Sequence, residues 1–558
     1  MKIKVFFFLI SSLSLSAQNI NVNDDYTYSF LRNSILKGEI NTNYSFNIKP
    51  VESNYFNESL KNNYKNVFSN KKNNVKIKFL GIDYFLDYNT THPYNRNNGS
   101  MIPNRGYQHI ISPGIFVKIG ALSIQFKPEH HFSENKVFNG FWEGHYDKIW
   151  AERFRLWNII DMPERHGDMR FNRTKFGQSS VRLNFKNLSI GISNENLWWG
   201  PSIRNSIMLS NHAEGFPHIT FNTIKPLKTI IGNFEWQLIS ARLENSGFDP
   251  PSKERKYAGT RIFIPRTNQL GQTDDWRYLQ AFILNYSPEF IDGLNIGLIR
   301  WSQFYGAMLN GKYWWMNGRP TYFPVFQNIF RQNDRNVDYE AQTNQAGGIF
   351  FKWFWKESKS EIYAEFHSND SRFNFRDLIL DTDHSRAMTL GLRKNFKINR
   401  NNFIFSWEWT QMEQTAGRLI RNAGSWYEHP WVKDGYTHKG EVLGSGIGPG
   451  SNSHYISINK IINSENLGFA LEIIDNDNDF YYEAFASAKD FRRYWKDFNF
   501  HLVYKKGYKN FNLSSNFIFI RSLNYQWQLD DFSEPYYHPG RDVNNFHLSL
   551  KFTYFGNW

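Results

Sequence analysis

Four stretches of the chain carry side chains of the kinds that do chemistry. Glu129-His130-His131 and His438-Lys439-Gly440-Glu441 hold metal-ligand types, but neither has the i, i+4 helical pairing with which zinc proteases bring two histidines to one metal. Gly444, Gly446, Gly448 and Gly450 resemble a phosphate-cradling loop, yet no Lys-Ser/Thr follows and the context is not strand to helix, so a flexible loop is expected. Glu143, Asp147 and Glu152 could supply a glycosidase acid and base, but the same charges suit the salt-bridged lining of a polar lumen. With no cysteine there is no thiol nucleophile, disulfide framework, Cys-based metal site or lipobox. The expectation is a chain without catalytic residues, metal or cofactor.

Aromatic surface is what the elements must position. The 558 residues include 51 Phe, 30 Tyr and 19 Trp, while 21% are charged and the mean hydropathy is −0.59. The aromatics are therefore dispersed among polar neighbours. A polytopic helical membrane protein needs several apolar runs of about 20 residues, and the only comparable run lies within the first 17. That run reads as an export signal, with Lys2 and Lys4 before an apolar Val5 to Leu15 and a small-residue cleavage point after Ala17. The formal charge is +13, and +11 without Lys2 and Lys4. An exported cation favours anionic partners such as acidic polysaccharide or lipopolysaccharide phosphates. Export, and the lack of a Lys/Arg run, argue against nucleic acid.

From residue 75 onward the chain alternates apolar and polar positions in segments of about ten residues, the period of a two-faced strand. Ile349, Phe351, Trp353 and Trp355 share one face, as do Phe403, Phe405, Trp407 and Trp409. Eighteen segments are predicted, at 75–88, 113–119, 122–128, 178–186, 188–194, 218–225, 233–243, 276–287, 294–303, 347–356, 360–368, 386–396, 402–413, 453–462, 466–475, 496–505, 510–521 and 545–555. After the first pair, short and long connections alternate. That rhythm belongs to a transmembrane barrel with tight periplasmic turns and long outer loops, and closure lets a polar composition cross lipid because every backbone group is paired. The fold class is all-β: a transmembrane antiparallel β-barrel of about 18 strands, residues 75–558, ending on an aromatic strand of the kind read by the barrel assembly machinery. It follows a signal at 1–17 and a helical or irregular N-terminal segment at 18–74. Within that segment Tyr26 to Leu36 reads as a short helix and Lys71-Lys72-Asn73-Asn74 closes a polar connector, making either a periplasmic arm or a plug.

After the fifth strand come Trp198-Trp199-Gly200-Pro201 and Leu209-Ser210-Asn211-His212-Ala213. This resembles the Wzi-like capsule assembly family of outer-membrane proteins, in which Trp-Gly-Pro precedes Leu-Ser-Asn-x-Ala at similar spacing. Gly435-Tyr436-Thr437-His438-Lys439-Gly440, running into Leu443 to Gly448, is similar to a late loop of that family. The resemblance implies an eighteen-stranded barrel with N-terminal helices. It also implies a lectin-like role, holding capsular polysaccharide at the outer membrane without changing it.

Sugar rings pack their C–H faces on flat aromatics, and their hydroxyls need planar donors and acceptors. The loop at 414–452 offers Arg418, Arg421, Trp426, Tyr427, His429 and Trp431, and the loop at 304–346 offers Trp314, Trp315, Arg319 and Arg331. Trp198 and Trp199, ahead of a turn forced by Gly200 and Pro201, are expected to fold their loop back over the mouth as scaffold. The leading expectation is a non-enzymatic outer-membrane barrel that binds capsular or other anionic surface polysaccharide. The alternatives are a porin-like anion or oligosaccharide channel and a gliding- or adhesion-associated surface protein. If short connections face the periplasm, a tag inserted after Gly424 should be labelled on intact cells and one after Ser358 should not. Reversed labelling would invert the topology.

Overall fold

A computed structural model describes residues 19–56, 66–70, 75–257, 260–268, 270–310, 322–326, 343–369, 372–414, 423–485, 493–528 and 541–555. The export segment with its cleavage point, Lys71 to Asn74, and the terminal Trp558 lie outside them.

Eighteen antiparallel strands close into one barrel. They are β1 (Val75–Asn89), β2 (Gly106–Ile119), β3 (Leu122–Phe126 and Glu129–Ser133), β4 (Phe171–Lys175 and Ser180–Phe185), β5 (Leu188–Ser193) and β6 (His218–Thr223 and Leu227–Thr229). Then come β7 (Gly232–Leu243), β8 (Arg277–Pro288), β9 (Leu294–Tyr305), β10 (Asn344–Trp355), β11 (Ser360–Asn369) and β12 (Arg386–Ile398). The circuit ends with β13 (Asn401–Gln411), β14 (Asn452–Ile462), β15 (Glu465–Asp475), β16 (Lys496–Gly507), β17 (Phe511–Leu523) and β18 (Val543–Tyr554). β18 pairs back onto β1, from Tyr554 opposite Ile82 to His547 opposite Asn89. Short and long connections alternate around the whole circuit. Two of the split strands break beside a proline, Pro128 in β3 and Pro226 in β6, where a ladder donor is missing.

Two expectations are corrected. The second strand begins at Gly106 rather than residue 113: the ladder runs on through Pro113, opposite Ile82, two residues past a bulge at Leu80. The connection read as 129–177 contains two ladder segments, Glu129–Ser133 paired with Phe171–Lys175, whose polar residues hid the alternation.

The outward face is apolar: Ile349, Phe469, Phe500 and Ile296 are all well exposed, as a lipid-facing belt requires. Inward residues are mostly polar. A barrel of this size leaves a lumen too wide for wall side chains to fill, and three layers of chain cross it.

At the short-turn end lies α1 (Asp25–Lys37), capped by Asp24, which accepts from Thr27 N at 2.9 Å, and ended by Gly38 at φ 81°. Arg32 pairs with Glu361 on β11 (3.1 Å), Asn33 accepts from Arg393 on β12 (2.7 Å), and Ser29 accepts from Lys505 on β16 (2.7 Å). Leu36 packs on Ile404 and Ile461. These contacts place the N-terminal segment inside the lumen.

The middle layer is the connection 194–217. Glu365 on β11 accepts from Ser202 N (3.1 Å), Glu408 on β13 accepts from Ile203 N and Asn205 N (both 2.7 Å), and Glu472 on β15 pairs with Arg204 (2.7 Å). The outer layer is apolar and built by the long loops, with α2 (Asp147–Trp157) packed on α3 (Asn478–Phe485).

The wall is fitted to this filling. On β12 the backbone at Gly391 lies against the Tyr363 ring, whose hydroxyl donates to Glu408 at 2.8 Å; a side chain on Gly391 would meet that ring. The closed barrel should run compactly on SDS gels until boiled. Gly391→Val should cost about 1–3 kcal/mol, as overpacking does, and lower the temperature at which the compact band is lost. An unchanged transition would show that Tyr363 is not held there.

Candidate functional site

At the outer end, α2 enters the barrel with Ile149, Trp150, Phe154 and Trp157 on one buried face, the 3.6-residue spacing of an amphipathic helix. The same face presents Arg153, between Ile149 and Trp157, to a cage of rings: its guanidinium carbon lies 4.6 Å from the Trp157 centroid, 5.2 Å from Phe141 and Phe480, and 5.6 Å from Trp527. Glu164 stands 3.7 Å from Arg153 and accepts from Phe141 N at 3.2 Å. Burial lowers the Arg153 pKa and raises that of Glu164, outweighing their mutual attraction. Phe141 N donates to both Glu164 carboxylate oxygens, at 3.2 Å each. Arg153 Nε has no hydrogen-bond partner among the described residues.

Above the pair opens a cleft of about 250 Å³ walled by Trp157, Trp495, Tyr525 and Trp527. It adjoins a rim groove of about 590 Å³, lined by Phe138, Trp142, Phe248, Arg165 and Arg541, with Phe138 and Glu164 common to both. Trp142 and Trp495 are half-buried and keep ring surface available. The arrangement offers flat apolar faces beside a cation and a carboxylate that can take hydroxyl partners, and that is carbohydrate-binding chemistry.

Several expected contacts are placed elsewhere. Trp426 and Tyr427, expected as stacking platforms, are buried in the apolar core, where Tyr427 OH donates to Ile207 O at 2.9 Å. His429 is also buried, and burial lowers its pKa to about 3; its Nδ1 accepts from Val432 N at 2.9 Å and so shapes the turn. These three fill and shape the plug because the wide lumen demands bulk. Trp431 is 50% exposed on the same loop. Arg418, Arg421, Trp314, Trp315, Arg319 and Arg331 lie outside the described residues. Asp147 is paired with Arg255 (2.8 Å) and Glu152 with Arg155 (2.7 Å), while Ser252 donates to Glu143. His130 and His131 point to opposite faces of β3, and among the described residues no three ligand-type side chains converge on a metal position.

The two sequence motifs form one unit. Trp198 and Trp199 do not fold over the mouth; they run into the lumen and pair with Lys49 and Ile48. Gly200 (φ 103°) lies against Glu365 where a Cβ would collide, and Pro201 begins the turn that Glu365 and Glu408 grip. Leu209 O accepts from Trp199 N (3.0 Å), Leu443 O from Ser210 N (2.8 Å), and Asn196 Nδ2 reaches Ala213 O (2.8 Å). Asn211 donates to Asn97 O (2.9 Å), and Tyr436 stacks on Trp301 at 3.9 Å.

A family model for the capsule assembly protein Wzi matches residues 115–480, which span both motifs and α2. The chain belongs to the Wzi capsule assembly family. Wzi of Escherichia coli, an outer-membrane, carbohydrate-binding β-barrel involved in group 1 capsule assembly, has the same fold, with a TM-score of 0.58 at 12% identity over 95% of this chain and 98% of that one. Looser matches include OpdQ of Pseudomonas aeruginosa (TM-score 0.38, 8% identity, 85% and 97% coverage) and OccAB2 of Acinetobacter baumannii (0.37, 9%, 85% and 97%). No curated protein sequence matches the chain. This Wzi-family chain is an outer-membrane β-barrel.

Sequence reasoning missed the cleft in this Wzi-family barrel, because α2 lay inside a stretch read as one long loop. The spacing of Ile149, Trp150, Phe154 and Trp157 was the available signal. Arg153→Met should leave Glu164 buried without its cation and cost about 3 kcal/mol, read as easier proteolysis of 134–170 in isolated outer membranes. Adding Glu164→Leu should recover most of the resistance; equal proteolysis of wild type and single variant would deny the pair a structural role.

Proposed function

We propose that this protein is a non-enzymatic barrel that holds anionic surface polysaccharide at the outer face, in the cleft and rim groove between the long loops. The observation that carries the reading is the cleft and groove that bring Trp495 and Trp142 ring faces to Glu164 and to Arg153, whose Nε has no partner. Family membership and the carbohydrate binding of Escherichia coli Wzi support it. The layers crossing the lumen favour holding a polymer over passing one.

Arg165 and Arg541 supply charge on the groove. Arg418, Arg421, Trp431, Trp314, Trp315, Arg319 and Arg331 extend the candidate surface on sequence grounds. Lipopolysaccharide around the apolar belt and the barrel assembly machinery at the last strand complete the proposed partners.

Ionic and stacking contributions separate with salt, since exposed charges are screened over about 8 Å at physiological ionic strength. Trp142→Ala with Trp495→Ala should weaken polysaccharide binding by about 1–3 kcal/mol and leave its salt dependence intact. Arg165→Gln with Arg541→Gln should weaken binding and flatten that dependence. Both should shed capsule into the medium at normal barrel levels. Wild-type retention in both, with barrel levels confirmed, would remove this groove from the binding site.

A further inference from the structure

Below the gripped loop, between α1 and the inner wall of β12 to β18, lies a chamber of about 290 Å³. At about 30 Å³ per water it has room for roughly ten waters, or for one sugar ring. Its charge is unbalanced. Among the lining cations, Arg32 and Arg393 share Glu361 (3.1 and 3.6 Å), Arg204 has Glu472 (2.7 Å) and Lys551 has Asp25 (3.1 Å). Among the described residues Lys505 donates to neutral oxygens, Ser29 Oγ at 2.7 Å and Asp25 O at 3.3 Å.

Two further cations, Lys49 and Arg96, have no carboxylate at salt-bridge distance among the described residues. Lys49 is 8% exposed and held over the rings of Trp198 (4.7 Å) and Tyr28 (5.1 Å). Burial, then the fields of Arg32 and Lys352, lower its pKa well below the usual lysine range, outweighing the opposite pull of Asp25. Arg96 lies 5.4 Å from the Tyr94 ring, and its Nη1 is buried without a partner. A buried ammonium or guanidinium nitrogen without a counter-charge is costly, which disfavours the charged form of Lys49, and the chamber beside these two has space for an anion that would restore it.

The remaining wall carries hydroxyls and amides, Ser406, Ser457, Ser549, Asn459 and Asn466, beside His501, His547 and the apolar Ile404 and Val503. Such a wall suits a ligand that carries hydroxyls as well as charge. Tyr94 and Arg96 line both this chamber and the outer cleft, so the two spaces meet at the 90–105 connection.

We propose that the chamber is a second binding site, specific for a single acidic sugar unit, whose carboxylate sits between Lys49 and Arg96 and whose hydroxyls meet the serine and asparagine wall. The site is separate from the outer groove and does not require that the groove hold polymer.

The test is calorimetric titration of the detergent-solubilised full chain with sodium glucuronate, with glucose and inorganic phosphate as parallel probes. Glucuronate should bind, and glucose and phosphate should bind at least tenfold more weakly. Lys49→Met and Arg96→Gln should each weaken glucuronate at least tenfold while the unheated gel mobility stays that of the folded barrel, and Lys49→Arg should retain binding. Trp142→Ala with Trp495→Ala should leave it unchanged. No glucuronate binding, or undiminished binding in Arg96→Gln and a folded Lys49→Met, overturns the proposal, as does loss in the groove variant, which would put the ligand in the outer groove. Phosphate binding as tight as glucuronate would overturn the sugar specificity. If Lys49→Met does not fold, Arg96→Gln decides.

Discussion

Closure of the sheet is the constraint from which the rest follows. A strand in lipid must find partners for every N–H and C=O, and only a sheet that returns on itself does so without an edge. Here the return is the β18–β1 ladder. Once eighteen strands are closed, the perimeter fixes a lumen wider than its own side chains can fill. The protein meets that by folding its N-terminal segment and outer loops inward. Plug and barrel are thus consequences of one requirement.

The filling is attached in a graded way. Near the short turns the contacts are ion pairs and hydrogen bonds between α1 and strands from β11 to β18. At mid-height three wall carboxylates hold one loop, largely through its backbone N–H groups, so the grip on residues 202, 203 and 205 depends little on their side chains. At the outer end the contacts are apolar and aromatic.

The barrel was legible in the sequence because strand alternation is a local, two-residue signal repeated eighteen times, and the connection lengths supplied the topology. What failed to read were places where local chemistry and pattern disagree. Residues 106–112, ahead of Pro113, read as connection, although the ladder with the first strand runs through Pro113, which stands opposite Ile82 near the register shift between Phe79 and Gly81. His130, Asn172 and Thr174 broke the apolar face of a ladder that pairs regardless. Of the site, the motifs at 198–213 and 435–448 were visible as residues, but their packing against each other was not, since the 2.8 Å bond from Ser210 to Leu443 joins positions more than two hundred residues apart.

The same separation explains why aromatics alone were poor guides to the binding surface. Composition does not distinguish Trp426 from Trp431, five positions apart on one loop; the first is buried in the plug and the second is half exposed. In a barrel that must be filled, bulky residues are first recruited to occupy volume, and only those left at the rim by that packing keep a face for a ligand. Trp495 keeps its face on the cleft that Arg153 lines, and Trp142 on the groove that Glu164 lines. The proposed binding surface is therefore set by where the filling stops. If the proposed cleft binds the ligand, a loop change that lets Trp157 or Trp527 shift would act on affinity through the position of Arg153, even though those rings are themselves almost fully buried.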